Sequence, residues 1–170
     1  MLRIVTPATV EPVTLTEAKE HLRVIHADDD TLLSAQITSA RELVELETGV
    51  ALVAAEYMWA PEQAPRCGYI ANIPLWPATV DGVTYWDGTT QAAMDADAYL
   101  LDDFRGSLTL GSYARPRVTF TTVPGTVPES LKSAIKLRVM AEYEADADEA
   151  AKLRDAATRV AWLHRRTLGV

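Results

Sequence analysis

The residues of this chain best equipped for chemistry lie in Glu-His-Leu-Arg-Val-Ile-His-Ala-Asp-Asp-Asp, residues 20–30. His21, His26 and the consecutive aspartates Asp28, Asp29 and Asp30 crowd these eleven positions, and Glu17 stands just upstream. Imidazoles and carboxylates at that density are what a metal centre or a general acid–base pair would use. Glu17 and His21 are four residues apart and would share one face of a helix. The zinc-protease pattern, however, places two histidines four apart with a glutamate after the first, and here the histidines are five apart. A calcium loop needs oxygen ligands at alternating positions, a glycine at the sixth and a glutamate at the twelfth; Asp-Asp-Asp-Thr-Leu-Leu-Ser-Ala-Gln-Ile-Thr-Ser has neither. Three successive aspartates also point in different directions. The better expectation is structural: Asp28 or Asp29 caps a second helix, and the remaining acids sit in its first turn against the positive dipole end. A small metal-dependent hydrolase built on Glu17, His21, His26 and Asp28–Asp30 is the weaker alternative.

Other candidate chemistry is thinner. Cys67 is the sole cysteine, which excludes an intramolecular disulfide and a multi-thiolate metal site, and no histidine stands near it in Pro-Arg-Cys-Gly-Tyr. No nucleophile elbow and no glycine-rich phosphate loop occurs. Asp102–Asp103 reads as a turn with Arg105 as local partner. Trp59, Trp76 and Trp86 are expected in core or sheet-edge packing. Trp162, beside arginines on the last helix, is the one expected at an interface. The reading is of a non-enzyme with no cofactor and no metal.

Charge points the same way. The 170 residues carry a net charge of −8. Residues 1–55 hold 4 basic and 9 acidic side chains, residues 56–127 hold 4 and 8, and residues 128–170 hold 8 and 7. Nucleic-acid affinity comes largely from neutralising phosphates, so an acidic body disfavours a DNA-binding regulator. It is compatible with letting DNA pass without holding it. No apolar run approaches the ~20 residues that cross a bilayer. The first residues lack a signal-peptide pattern, so a protein made and kept in the cytoplasm is expected.

The elements that must position these groups are legible from patterning. Thr14-Leu-Thr-Glu17 is a capping box that opens a helix at about 14–25, with Val13 and Ala18 at staple positions and Leu15, Ala18, Leu22 and Ile25 on its apolar face. A longer helix, about 29–48, carries the stripe Leu33, Ile37, Ala40 and Val44, widened by Leu32, Leu43 and Leu46, and closes at Gly49. Two helices so briefly connected are expected to pack antiparallel. Short β-branched and aromatic stretches punctuated by Pro, Gly and Asp then fill about 54–122, predicting a small antiparallel region of five or six strands. In it, Val118 and Phe120 face one side, and Trp86-Asp87-Gly88 makes a hairpin turn. Helix returns at about 128–144, with Pro128 in its first turn and Leu131, Ile135, Val139 and Tyr143 along one face. A last, alanine-rich helix aligns Leu153, Ala157, Val160 and His164; so thin a stripe predicts an arm that orders on a partner.

The order of these parts resembles the head–tail connector (adaptor, or head-completion) proteins of long-tailed bacteriophages. The likeness rests on residues 13–33, with capping box, acidic link and second-helix start, and on 40–53, with helix end and glycine exit. It continues through 73–102, with its proline-flanked strand Val-Asp-Gly-Val-Thr-Tyr, and 123–144, where Gly-Thr-Val-Pro leads into the third helix. The resemblance implies an α+β fold: an N-terminal antiparallel helix pair, a central small antiparallel β region, and a C-terminal helix plus a peripheral basic helical arm. The chain is expected to divide into a connector core, 1–144, and an arm, 145–170, separable without unfolding the core; the alanine-rich helix of that arm departs from the family's form. The resemblance further implies a structural ring of about a dozen copies beneath the portal protein, binding the next neck or tail-completion protein and passing double-stranded DNA, with no membrane. Such a protein is in the host cytoplasm during assembly and then at the head–tail interface of the virion. The long second helix and the sheet region are expected to supply the contacts between copies. Arg159, Trp162, His164, Arg165 and Arg166 are the expected portal contacts. Thr14, Glu17, Asp28, Asp29, Gly49 and Pro128 are expected to serve as helix caps. Another neck or tail protein, a stopper or tail terminator, is the alternative within this class, but those tend to be mostly β.

Overall fold

The computed structural model describes residues 1–61, 69–111, 113–144 and 146–166; Cys67 and the final four residues lie outside the described residues. Among the described residues, four helices and antiparallel sheets make a mixed α+β chain. It divides into a helical unit, Val10–Leu52 with Gly125–Arg166, and a β unit that includes Met1–Thr9 and Val53–Pro124. This division replaces the expected boundary at 144/145.

The helical unit holds α1 (Leu15–Leu22), α2 (Asp30–Thr48), α3 (Glu129–Tyr143) and α4 (Ala147–Trp162). The capping box forms as read: Thr14 Oγ1 accepts from the Glu17 N–H at 3.2 Å, and the Glu17 carboxylate accepts from the Thr14 N–H at 2.7 Å. Val13 and Ala18 are both buried in the unit's core. Helix α1 ends earlier than expected because Arg23 turns left-handed at φ 59°, and the Val24 N–H bonds back to the Lys19 carbonyl. Ile25 therefore leaves the apolar face and is 97% exposed. Pro128 stands one residue before α3, as its cap, rather than in its first turn. Gly49 closes α2 as expected, at φ 70° with its N–H on the Glu45 carbonyl.

The core joins Leu33, Ile37, Ala40 and Val44 of α2 to Leu131, Ile135 and Val139 of α3. Leu32, Leu43 and Leu46 do not widen the buried stripe; all three are exposed, because each lies about 90° or more around the helix from its centre. Helix α4 corrects the reading of 145–170 as a peripheral arm. It packs on α3 and α2, and Ala150, Ala157 and Ala161 are buried, with Ala161 part of the core. Its buried face is alanine, not leucine: small side chains let helices approach closely, so a thin stripe suffices. Two buried arginines cross-link the unit. Arg41 bonds Glu45 at 2.9 Å and Glu11 at 3.2 Å, and Arg138 bonds Glu47 at 2.6 Å. Burial works against the Arg41 charge, but the hydrogen bonds with Glu11 and Glu45 outweigh it and its pKa is raised.

The β unit contains β1 (Leu2–Thr6), β2 (Glu56–Trp59), β3 (Tyr69–Asn72), β4 (Ala78–Trp86), β5 (Gln91–Ala93), β6 (Tyr99–Asp102), β7 (Ser107–Leu110) and β8 (Arg117–Thr122). They form two antiparallel sheets, ordered β1-β2-β8-β4-β5 and β3-β7-β6. Region 54–122, expected to hold five or six strands, holds seven among the described residues, β2–β8, and β1 lies before it. β1 and β5 lacked the punctuated texture that marks the rest: β1 has both faces exposed, and β5 is only three residues long. β8, in the middle of the larger sheet, alternates as read, with Val118, Phe120 and Thr122 buried. Phe120 stacks on Tyr57 at 5.4 Å, its partner across the strands. Thr122 Oγ1 donates to the Val53 carbonyl at 2.7 Å, tying the strand end to the segment before β2. The β4–β5 turn is held by Asp87, which accepts from the Thr89 and Thr90 N–H groups. Those bonds, Thr90 first, hold its carboxyl at about 2.

Candidate interaction surface

His26 Nδ1 lies 3.7 Å from Asp28 and 3.9 Å from Asp29, but the other acidic and imidazole groups of residues 17–30 take separate partners or face solvent. Glu17 is engaged by Thr14, and the backbone bond from Thr14, then its hydroxyl, lowers the carboxyl pKa. Lys19 Nζ donates to Asp30 at 2.6 Å, tying α1 to the start of α2. Asp29 occupies the N-cap position of α2 but makes no side-chain cap; its carboxylate accepts instead from the Tyr143 hydroxyl at 2.8 Å. Asp28 is exposed and lies 3.7 Å from His26 Nδ1, so the capping role expected of Asp28 and Asp29 is not filled by either side chain. The reason is competition: a phenol from α3 offers Asp29 a partner that local sequence could not reveal. His21 is exposed. Among the described residues, no three His, Cys, Asp or Glu side chains are grouped so as to hold a metal ion. Asp102 serves the turn, accepting from the Phe104 and Arg105 N–H groups.

The C-terminal end of α4 is built differently. Trp162 is 57% exposed, Leu163 beyond it is also exposed, and the Arg165 guanidinium lies 4.8 Å from the centre of the Trp162 ring. The cation stacks on the indole face, which fixes both groups at modest cost in side-chain freedom. Arg159, exposed on the same helix, donates to the Asp155 carbonyl at 3.3 Å. These three side chains present an aromatic and cationic surface to solvent.

His164 and Arg166 serve the fold. His164 Nε2 and the Ser130 hydroxyl are 2.6 Å apart, linking the end of α4 to the first turn of α3. The Arg166 N–H donates to the Thr48 carbonyl at 2.9 Å and its guanidinium to the Gly49 carbonyl at 3.2 Å. Burial lowers the Arg166 pKa. The last carbonyls of a helix lack partners within it, and Arg166 supplies donors to that end of α2. The glycine stop at 49 marked a helix end in need of donors; nothing in the local sequence named residue 166 as their source.

Sequence reasoning also missed the buried partners Arg41 and Glu45. Their spacing of four was visible, but surface helix pairs share it, and only burial distinguishes them.

The family model described as "Phage gp6-like head-tail connector protein" matches residues 12–68, a span that includes α1 and α2. No curated protein matches the chain. Among solved structures, a chain in the neck of an empty gene transfer agent particle, computed with C6 symmetry, superposes with a TM-score of 0.76 at 22% identity. A chain in the virion of the native gene transfer agent particle gives 0.76 at 21% identity, and one in its neck, computed with C12 symmetry, gives 0.74 at 22%. Each likeness covers 100% of this chain and 97% of the other. The fold, through both units, is therefore one found in the neck of a phage-like particle.

Proposed function

We propose that this chain is a structural head–tail connector (adaptor) of a tailed phage or phage-like particle. It forms a ring beneath the portal, joins the capsid to the neck or tail, and lets double-stranded DNA pass. The observation that carries this reading is the coincidence of two independent likenesses. The connector family model covers the α1–α2 region, and the whole chain shares its fold with a neck protein over 100% of its length. The C6 and C12 symmetry of those necks supports a ring of about twelve copies here, closed by heterologous contacts between two different patches of each subunit. A net charge of −8 suits a passage that does not retain DNA. The mixed α+β fold favours this reading over a stopper or tail terminator of mostly β structure. The role is non-enzymatic; the carboxylates of a hydrolase reading, Glu17, Asp29 and Asp30, are engaged by Thr14, Tyr143 and Lys19. The protein then resides in the host cytoplasm until assembly and in the head–tail interface afterwards.

Arg159, Trp162 and Arg165 are the portal-facing groups in this reading, while His164 and Arg166 hold the surface in place. Co-expression of the full chain with the portal protein of its own particle, followed by affinity capture of the portal, tests it. The wild-type chain should be retained as a ring. Trp162→Ala with Arg165→Glu should reduce retention at least tenfold while thermal unfolding stays unchanged. No retention of the wild type overturns the connector role; undiminished retention of the variant overturns the assignment of these residues.

A further inference from the structure

Among the described residues, the outer edge of β1 is open. β1 is the terminal strand of the five-stranded sheet, and among the described residues only β2 pairs with it. Met1 and Ala60 exchange backbone hydrogen bonds, the Met1 nitrogen to the Ala60 carbonyl at 2.7 Å and the Ala60 N–H to the Met1 carbonyl at 2.9 Å. Hydrogen-bonded and non-bonded pairs alternate along an antiparallel ladder. In the register Leu2↔Trp59, Arg3↔Met58, Ile4↔Tyr57, Arg3 therefore bonds inward to β2, and the N–H and C=O of Leu2 and Ile4 point out of the sheet. The side chains of Leu2, Ile4 and Val5 are exposed as well. Proteins usually protect such an edge with lysine, proline or a covering segment; β1 has one cation, Arg3, and a bulge at Val5.

A second open edge lies in the same unit. β6 is the terminal strand of the three-stranded sheet, paired only with β7 among the described residues, and its Leu100 is 70% exposed. β6 is four residues long against five for β1; it ends in Asp102 and is flanked by Asp95, Asp97 and Asp103. The two edges are similar in length, each exposes aliphatic side chains, and their charges are opposite.

We propose that β1 of one copy adds to the free edge of β6 of the next copy, so that backbone hydrogen bonds run between subunits. The contact uses two different patches, which is what a closed ring of identical chains requires, and this step rests on the ring proposed above. Strand addition draws its affinity from the backbone and its selectivity from alternate side chains. Here Leu2, Ile4 and Leu100 supply apolar contact and Arg3 faces the acidic flank.

The test uses the full chain with Cys67→Ser, carrying Ile4→Cys and Leu100→Cys together or singly, assembled with its portal and treated with a short bismaleimide. The double variant should give a ladder of linked species beyond the dimer, and each single variant none. Adding Ile4→Pro to a companion pair, Leu2→Cys with Leu100→Cys, should abolish the ladder. Proline at position 4 removes an outward N–H and spares the β1–β2 ladder, so thermal unfolding should change little. Portal-bound rings without a ladder overturn the edge pairing and leave the connector role standing. Dimers from Ile4→Cys alone overturn it in favour of pairing between two β1 strands. A chain that forms no ring on the portal overturns the reading on which this inference depends.

Discussion

Thr14 and Asp29 occupy equivalent positions, each one residue before a helix, yet only Thr14 caps with its side chain. Thr14→Ala should therefore cost about 1 kcal/mol of stability. Asp28→Asn, at an exposed carboxylate, should stay within about 0.5 kcal/mol. Urea denaturation of both variants at unchanged m-value checks the contrast. Glu17 adds a pH dependence. Its pKa is lowered in the folded chain from an ordinary 4.5, so its contribution is fully present above pH 4.5 and is lost as pH falls through the lowered folded value. Glu17→Gln should remove that component, flattening the stability profile at acidic pH relative to wild type, as read from denaturation midpoints across pH. An unchanged profile would show that the capping box is not maintained in solution.

Among the elements, α4 is where patterning misled most. An alanine-rich helix with a thin apolar stripe resembles an arm awaiting a partner, but Ala157 and Ala161 are wholly buried. Enlarging a well-packed site forces neighbours off their rotamers, so Ala161→Leu should destabilise by about 1–3 kcal/mol. Deleting residues 151–170 should do more, lowering the thermal midpoint and broadening the transition. It removes both buried alanines along with the donors that Arg166 gives to the end of α2. Circular dichroism melts of the full and shortened chains decide it; an unaltered midpoint would restore the separable arm. Point substitutions at Trp162 and Arg165 are consequently the sounder probes of partner binding, because they leave the buried face of α4 untouched.

At the scale of the whole molecule, charge makes the clearest statement. With 24 acidic against 16 basic side chains, and Lys19, Arg41, Arg138 and Arg154 already paired with carboxylates, the net field of the chain opposes phosphates. The chain should show no retained complex with duplex DNA in a mobility-shift assay at about 0.15 M salt, where Debye screening acts within ~8 Å. A salt-sensitive shift at micromolar protein would contradict a passive channel. The exposed leucines of α2 (Leu32, Leu43 and Leu46) and the edges of β1 and β6, unpaired among the described residues, are surfaces on which the proposed contacts between copies could form.

The sequence by itself determined the α+β class, six of the eight strands among the described residues, the capping box, the glycine stop at residue 49 and the buried stripes of α2 and α3. These depend on neighbours within one turn or one strand, where periodicity and backbone preference act. It also carried the likeness to head–tail connectors, through the order of those parts. Only the tertiary structure decided the rest: that Asp29 answers to Tyr143, that Arg166 serves α2, that α4 belongs to the core, and that β1 edges a five-stranded sheet. Each of these joins residues far apart in the chain. Local pattern cannot distinguish an alanine face meant for a helix from one meant for solvent, nor a carboxylate free to cap from one already claimed by a distant hydroxyl.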